Sequence, residues 1–194
     1  MGRTPDPKPP SSGKIAVALM SDTVGLDAGT GAERWRFAGE GRINPTISGG
    51  EVFCAGPKTT LAVLDAASGA LRWSTPVGLE PWSAPAIAPD LVIVAQRISH
   101  FDGGVPGARI HALDRATGSP RWTHAAPGDA FDPHVAVGRS AVYATGETLR
   151  ALDRGSGELA WEWSPPAKTR LERRPAIGEG MIFVPTDRGL FALR

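Results

Sequence analysis

Apolar residues in this chain come in short bursts rather than in helical stripes. Leu61-Ala62-Val63-Leu64, Ile110-His111-Ala112-Leu113 and Leu149-Arg150-Ala151-Leu152 each run straight into an aspartate. Upstream of each stands a second burst: Glu51-Val52-Phe53, Leu91-Val92-Ile93-Val94 and Ala141-Val142-Tyr143. Further upstream is a proline-marked stretch: Asn44-Pro45-Thr46-Ile47, Ala84-Pro85-Ala86-Ile87 and Asp132-Pro133-His134-Val135. Runs this short, separated by turn residues, predict strands, and no stretch has the period of an amphipathic helix. The expected class is all-β.

The strands belong to a repeat. Leu64-Asp65-Ala66-Ala67-Ser68-Gly69-Ala70-Leu71-Arg72-Trp73 has counterparts from Leu26-Asp27 to Trp35, from Leu113-Asp114 to Trp122 and from Leu152-Asp153 to Trp161. A hydroxyl precedes the glycine in every copy: Thr30-Gly31, Ser68-Gly69, Thr117-Gly118 and Ser156-Gly157. Trp follows Asp by eight residues each time, and successive aspartates lie 38, 49 and 39 residues apart. A period near forty with one aromatic per unit marks a stacked repeat architecture.

Each conspicuous residue has a structural task. The Asp carboxylate is expected to accept backbone N–H groups one or two residues on, with Ser or Thr supporting the same turn. Gly supplies a positive φ without steric cost. Trp is a large packing anchor whose N–H needs an acceptor. The predicted unit is therefore a β-hairpin carrying a packing residue, and its Asp, Gly and Trp build the fold.

The motif resembles the A-L-D-x-x-T-G-x-x-x-W hairpin of the pyrroloquinoline-quinone-type (PQQ-like) β-propeller repeat family. The resemblance covers residues 14 to about 193, with motif hairpins near 24–37, 61–75, 110–124 and 149–163. It implies four-stranded antiparallel blades, about four to five of them. The family includes quinoprotein dehydrogenases. It also includes non-catalytic propellers among outer-membrane assembly lipoproteins and the sensor domains of bacterial kinases.

The strand count leaves the ring open to two readings. The first unit has Ile15–Leu19, Val24–Leu26 and Trp35–Phe37 but no first strand. The partial last blade, 174–194, has Arg174-Pro175-Ala176-Ile177, Met181-Ile182-Phe183-Val184 and Gly189–Leu193, then Arg194 where other copies have Asp. About eighteen strands result: three, then four, four and four, then three. They make either a five-bladed ring with two strands missing or an arc cut from a larger ring. An open arc exposes sheet edges, so self-association to complete the ring is an expectation. Residues 1–13, MGRTPDPKPPSSG, read as a disordered Pro/Ser-rich linker.

Composition narrows the chemistry. Lys and Arg number 21 against 20 Asp and Glu, so the whole surface offers nucleic acid no general attraction. No apolar run is long enough to cross a membrane, and no signal peptide core is present. The compartment stays open, and a longer or membrane-attached protein is compatible with the sequence. The single cysteine, Cys54, lies in a predicted strand as a small buried hydrophobe. Family members with activity use an acidic base, a Glu/Asn/Asp set on calcium or a lanthanide, and often a vicinal cysteine pair. One cysteine cannot make that pair, and no such acidic set can be aligned. No G-x-S-x-G, H-E-x-x-H, C-x-x-C or phosphate loop occurs. The expectation is a non-catalytic binding or sensing scaffold without a cofactor. The alternative is a fragment of a quinone-dependent oxidoreductase, with PQQ and calcium.

With strands named A to D outward from the channel, the A–B and C–D turns share one face of a propeller. The B–C and D–A loops share the other, around the channel mouth. That second face is the candidate binding site for a protein segment or small ligand. Its residues are Arg42, Asn44, Trp82, Asp129, Asp132, His134, Arg170, Arg173 and Arg174, with Glu80, Ala84, Phe131 and Glu172 nearby. The Gln96–Arg109 insertion, with His100, Phe101, Asp102, Gly103 and Gly104, hangs over the same face. Arg170, Arg173 and Arg174 form a positive cluster suited to an acidic peptide or a carboxylate. His134 with Asp129 and Asp132 matches no metal-ligand spacing. His111 and His124 are expected in packing or surface roles.

Overall fold

The computed structural model describes residues 14–18, 22–39, 45–78, 83–98, 106–127 and 133–194, with backbone only for 14–18. Five antiparallel sheets follow one another along the chain. The first has β1 (Lys14–Ala18), β2 (Asp22–Asp27) and β3 (Glu33–Ala38). The second has β4 (Thr46–Ser48), β5 (Glu51–Gly56), β6 (Thr60–Asp65) and β7 (Leu71–Pro76). The third has β8 (Ala86–Ile87), β9 (Leu91–Ile98), β10 (Gly107–Asp114) and β11 (Pro120–Pro127). The fourth has β12 (His134–Val137), β13 (Ala141–Thr145), β14 (Leu149–Asp153) and β15 (Leu159–Trp163). The fifth has β16 (Ala176–Gly178), β17 (Met181–Thr186) and β18 (Gly189–Leu193). Neighbours in sequence are neighbours in each sheet. The expected succession of three, four, four, four and three strands is what forms, as a propeller-like arc. No helix occurs among the described residues.

The core lies between sheets rather than within one. Val52, Cys54, Ala62 and Leu64 face Trp35 and Phe37 of the first blade. The opposite side of the second blade, Phe53, Ala55, Leu61 and Val63, packs on Val92, Val94 and Leu113 of the third. Ile93, Ile110 and Ala112 then meet Val135, Val142 and Leu152 of the fourth. Leu149 meets Ile182 and Val184 of the fifth. The period-2 alternation of each strand thus serves two interfaces, which is why β5 and β9 read as continuous apolar runs. Cys54 is one of these packing residues at 1% exposure, and burial raises its thiol to about 11, against a small lowering by its Thr23 hydrogen bond.

The repeated turn holds the blades together. Asp27 Oδ1 accepts the N–H groups of Gly29 and Thr30 and the Thr30 hydroxyl, each at 3.0 Å. Asp65 and Asp114 repeat this set, and Asp153 accepts the N–H groups of Gly155 and Ser156. The accepted N–H groups are two and three residues on. The sequence expectation of one or two was short by a residue, because the chain makes a full Asx turn before Gly. The glycines then adopt φ of 72°, 72°, 73° and 75°.

Just after the turn each hairpin carries a bulge. Gly25 pairs with Trp35 but Leu26 pairs with Glu33, leaving Arg34 as the extra residue. Arg72, Arg121 and Ala160 hold the same place. Arg34, Arg72 and Arg121 each turn back to pair with the motif Asp. The Arg34 guanidinium, then the Thr30 hydroxyl, hold Asp27 down at about 2, and Arg121 with Thr117 does the same for Asp114. Asp65 is held below the usual carboxylate range chiefly by Arg72. Asp153 faces Ala160 instead, and its lowering comes first from the Ser156 N–H.

Trp reaches the following blade. Trp35 Nε1 donates to Ala66 O at 3.2 Å, Trp73 Nε1 to Arg115 O at 2.9 Å, and Trp122 Nε1 to Arg154 O at 2.9 Å. Each ring lies against the motif glycine of that next turn. A Cβ on Gly69, Gly118 or Gly157 would sit 2.6, 2.4 or 2.5 Å from the tryptophan. In the third and fourth blades the residue after the Asp, Arg115 or Arg154, adds a brace to the preceding blade. Arg115 Nε donates to Glu51 Oε2 at 2.9 Å, with its other nitrogens on Ala88 O and Ser48 O at 3.0 Å. Glu51 also takes Arg72, so its buried carboxylate is fully paired. Arg154 pairs with Asp90 in the same way. Trp161 is different: it is 41% exposed and touches Tyr143 at a ring separation of 6.0 Å.

Candidate functional site

The turns of each blade divide between two faces as the sequence predicts. In the second, third and fourth blades the N–H after the motif Asp donates to the same blade's A–B turn: Ala66 to Gly50 O, Arg115 to Asp90 O and Arg154 to Ser140 O. Both kinds of turn therefore lie together, and their polar groups are used in holding blades. The opposite face carries the B–C and D–A loops. Arg42, Asn44, Glu80, Trp82, Asp129, Phe131 and Asp132 lie outside the described residues, as do His100 to Gly104 of the insertion. His134, Arg170, Arg173 and Arg174 are described.

The D–A loop from 164 to 175 is described in full, and it is fastened at several points. Arg170 N–H donates to Asp187 Oδ1 at 2.9 Å, and Asp187 N–H returns to Arg170 O at 3.1 Å. Leu171 bridges Thr186, and Glu172 N–H donates to Pro185 O at 3.3 Å. The loop thus runs along the B–C turn of the fifth blade as an extended segment. Thr145, buried at 2% exposure, donates its hydroxyl to His134 O at 3.3 Å and Arg173 O at 3.4 Å. Arg174 spans further, donating to Ala84 O at 2.7 Å and Pro85 O at 2.8 Å. The strand-A entries of the third, fourth and fifth blades are therefore tied to one another. Desolvation there lowers the Arg174 pKa.

The three arginines take different parts. Arg174 is a brace between blades, committed to backbone carbonyls. Arg170 and Arg173 are exposed, and among the described residues neither guanidinium has an ion-pair or hydrogen-bond partner. Arg170 lines a cleft of about 170 Å³ with Thr169 and Leu171 from the D–A loop and Gly146 and Glu147 from the fourth blade's B–C loop. Two loop types thus meet in one depression. The second blade's B–C turn lies on the same face and carries Lys58 and Thr59 at φ of 54° and 58°, a left-handed pair that costs energy for non-glycine residues.

His111 and His124 do packing work. His124 Nδ1 lies 3.0 Å from Gly157 O of the next blade's turn. His111 sits between Thr123 Oγ1 at 3.2 Å and Gln96 Oε1 at 3.3 Å. Burial, then the nearby Arg109 charge, lowers its pKa to about 4. The unfolded chain takes up this proton near the ordinary value of 6.5, the folded chain only near 4. Stability from this group is therefore complete above 6.5 and is lost as the pH falls to 4, by about 3 kcal/mol at most. Melting temperature measured from pH 7 to pH 4 is expected to fall, and H111Q is expected to flatten the part of the curve that begins near 6.5.

Comparison with known proteins agrees with this architecture. A family model described as outer membrane protein assembly factor BamB matches residues 19–105 and 104–194. The serine/threonine-protein kinase AfsK of Streptomyces griseus is 30% identical over 173 residues, covering 82% of this chain and 21% of that protein. The chain thus spans about a fifth of that curated relative. BamB from Moraxella catarrhalis superposes with a TM-score of 0.69 at 21% identity, over 92% of this chain and 53% of that one. A europium-containing methanol dehydrogenase gives 0.66 at 12% identity, over 93% and 46%. The designed protein Ika8 gives 0.70 at 14%, over 93% and 55%. At these identities the solved structures share the fold, and the family model carries the assignment: the chain belongs to the PQQ-like β-propeller repeat family described by the assembly factor BamB.

Proposed function

We propose that this chain is a non-catalytic PQQ-like propeller scaffold that holds a protein segment or small ligand on its B–C and D–A loop face. The observation that carries this reading is how the polar groups divide. The motif carboxylates are engaged by their own turns, and by arginine in three of the four copies. On the loop face, by contrast, Arg170 and Arg173 are held by their backbone, and among the described residues their guanidinium groups have no partner. A preorganised backbone with uncommitted side chains favours binding, since less order is lost when a ligand arrives. The family model is named for an outer membrane protein assembly factor, which supports a protein as the partner. No helix of the described residues is long and apolar enough to cross a membrane.

The second reading, a quinone-dependent oxidoreductase, draws on the fold shared with methanol dehydrogenase. Cys54 gives it no help, because it is a lone thiol packed between blades. Titration with PQQ and calcium, followed by absorbance and by melting temperature, separates the readings. The scaffold reading expects no saturable spectral change and no rise in melting temperature. A saturable change with a rise of several degrees would establish cofactor binding and overturn it.

A further inference from the structure

We infer that the cleft between the fourth blade's B–C loop and the 164–175 loop is an anchoring site for an extended acidic peptide. This inference rests on the scaffold reading and names the partner's chemistry. A pocket that encloses a whole small ligand measures roughly 300–1,000 Å³. The cleft, at about 170 Å³, is smaller than that. It fits one side chain of a ligand that continues across the surface. Arg170 and Arg173 set the direction of that continuation. They stand three residues apart in the loop, so their Cα atoms are separated by about 10 Å at most, the reach of a fully extended chain. Two carboxylates on one extended peptide can span that distance.

The charge balance defines the ligand further. Residues 166–174 carry Lys168, Arg170, Arg173 and Arg174 against Glu172 alone. Arg174 is held by Ala84 and Pro85, leaving Arg170 and Arg173 as the receiving pair. Guanidinium presents a planar fork that matches a carboxylate with two parallel hydrogen bonds. Leu171 gives the cleft an apolar wall, and Glu147 places a carboxylate on its rim. The loop's backbone is already fastened to Asp187, Thr186 and Pro185, so the arginines need little ordering when the peptide binds.

The test uses a fluorescein-labelled twelve-residue peptide with glutamates among Gly and Ser, its glutamine counterpart, and an oligothymidylate of equal charge. Fluorescence anisotropy is read against the full chain at about 50 and 300 mM salt. The glutamate peptide is expected to bind at least tenfold tighter than the glutamine peptide, and less tightly at high salt. R170E and R173E are each expected to weaken it about tenfold, while R139E, on the A–B turn face, leaves it unchanged. Among the described residues neither the Arg170 nor the Arg173 side chain has a partner, so circular dichroism and melting temperature should match the parent. Equal affinity for both peptides, or for the oligothymidylate, would overturn the acidic-peptide assignment. If the glutamine peptide binds as well and R170E still weakens it, the scaffold reading stands and only the charge argument fails. If no peptide binds while PQQ with calcium does, both readings fail together.

Discussion

Replacing Trp122 by alanine should lower the unfolding free energy by about 3–5 kcal/mol, whereas Trp161→Ala should cost less than about 1 kcal/mol. The two residues occupy the same place in adjacent repeats. Trp122 is 9% exposed, donates to Arg154 O at 2.9 Å and presses on Gly157. Its removal takes away a large apolar area and leaves the half-buried Arg154 carbonyl without its donor. Trp161 is 41% exposed and has a tilted contact with Tyr143. Stability in a stacked repeat is a sum of unit and interface terms, so the loss should fall on the joint between the third and fourth blades. Urea unfolding followed by circular dichroism would read it, and W122A is expected to broaden or split the transition. Equal losses for both variants would mean that the tryptophans act within their own blades rather than across the joints.

Much of this architecture could be read from spacing. Asp, Gly and Trp recur at fixed offsets, and a fixed offset is how a hairpin of set geometry appears in a sequence. The division of loops between two faces followed from up-and-down connectivity alone. Two contributions were missed, though the sequence held a signal for both. Arg34, Arg72 and Arg121 precede the motif tryptophan in three copies, with Ala160 in the fourth. A charged residue beside a large aromatic reads as solvated surface until the bulge turns it back onto Asp. Arg115 and Arg154 follow the motif Asp, and they act through Glu51 and Asp90, 64 residues away in each case. Pairing across that separation depends on how blades stack, which no local pattern encodes. The arginine cluster was legible as charge. Its division into a brace, Arg174, and two groups without a partner among the described residues, Arg170 and Arg173, was not. That division depends on which backbone carbonyls of another blade come within reach.

Gly118→Ala should cost about 3 kcal/mol or more, and Gly31→Ala about 1–2 kcal/mol, although both glycines have almost the same backbone. Their φ values are 73° and 72°, so alanine meets the same left-handed strain at either position. What differs is the neighbour. A Cβ on Gly118 would lie 2.4 Å from the Trp73 ring and 2.7 Å from Thr75 Oγ1, while nothing stands within 4 Å of one on Gly31. The difference is therefore the overpacking cost of pushing Trp73 out of its seat, typically 1–3 kcal/mol. Thr75 would also be pushed from its 2.7 Å hydrogen bond to Gly118 O. A double-mutant cycle isolates this term. In a Trp73→Ala background the Cβ has room, so Gly118→Ala should fall to nearly the cost of Gly31→Ala. Independent losses in the double variant would mean that the glycine is required by its turn alone. A coupling of about 1 kcal/mol or more would mean that Gly118 is also kept small by the preceding blade, so that the repeat's two most regular residues are there halves of one joint.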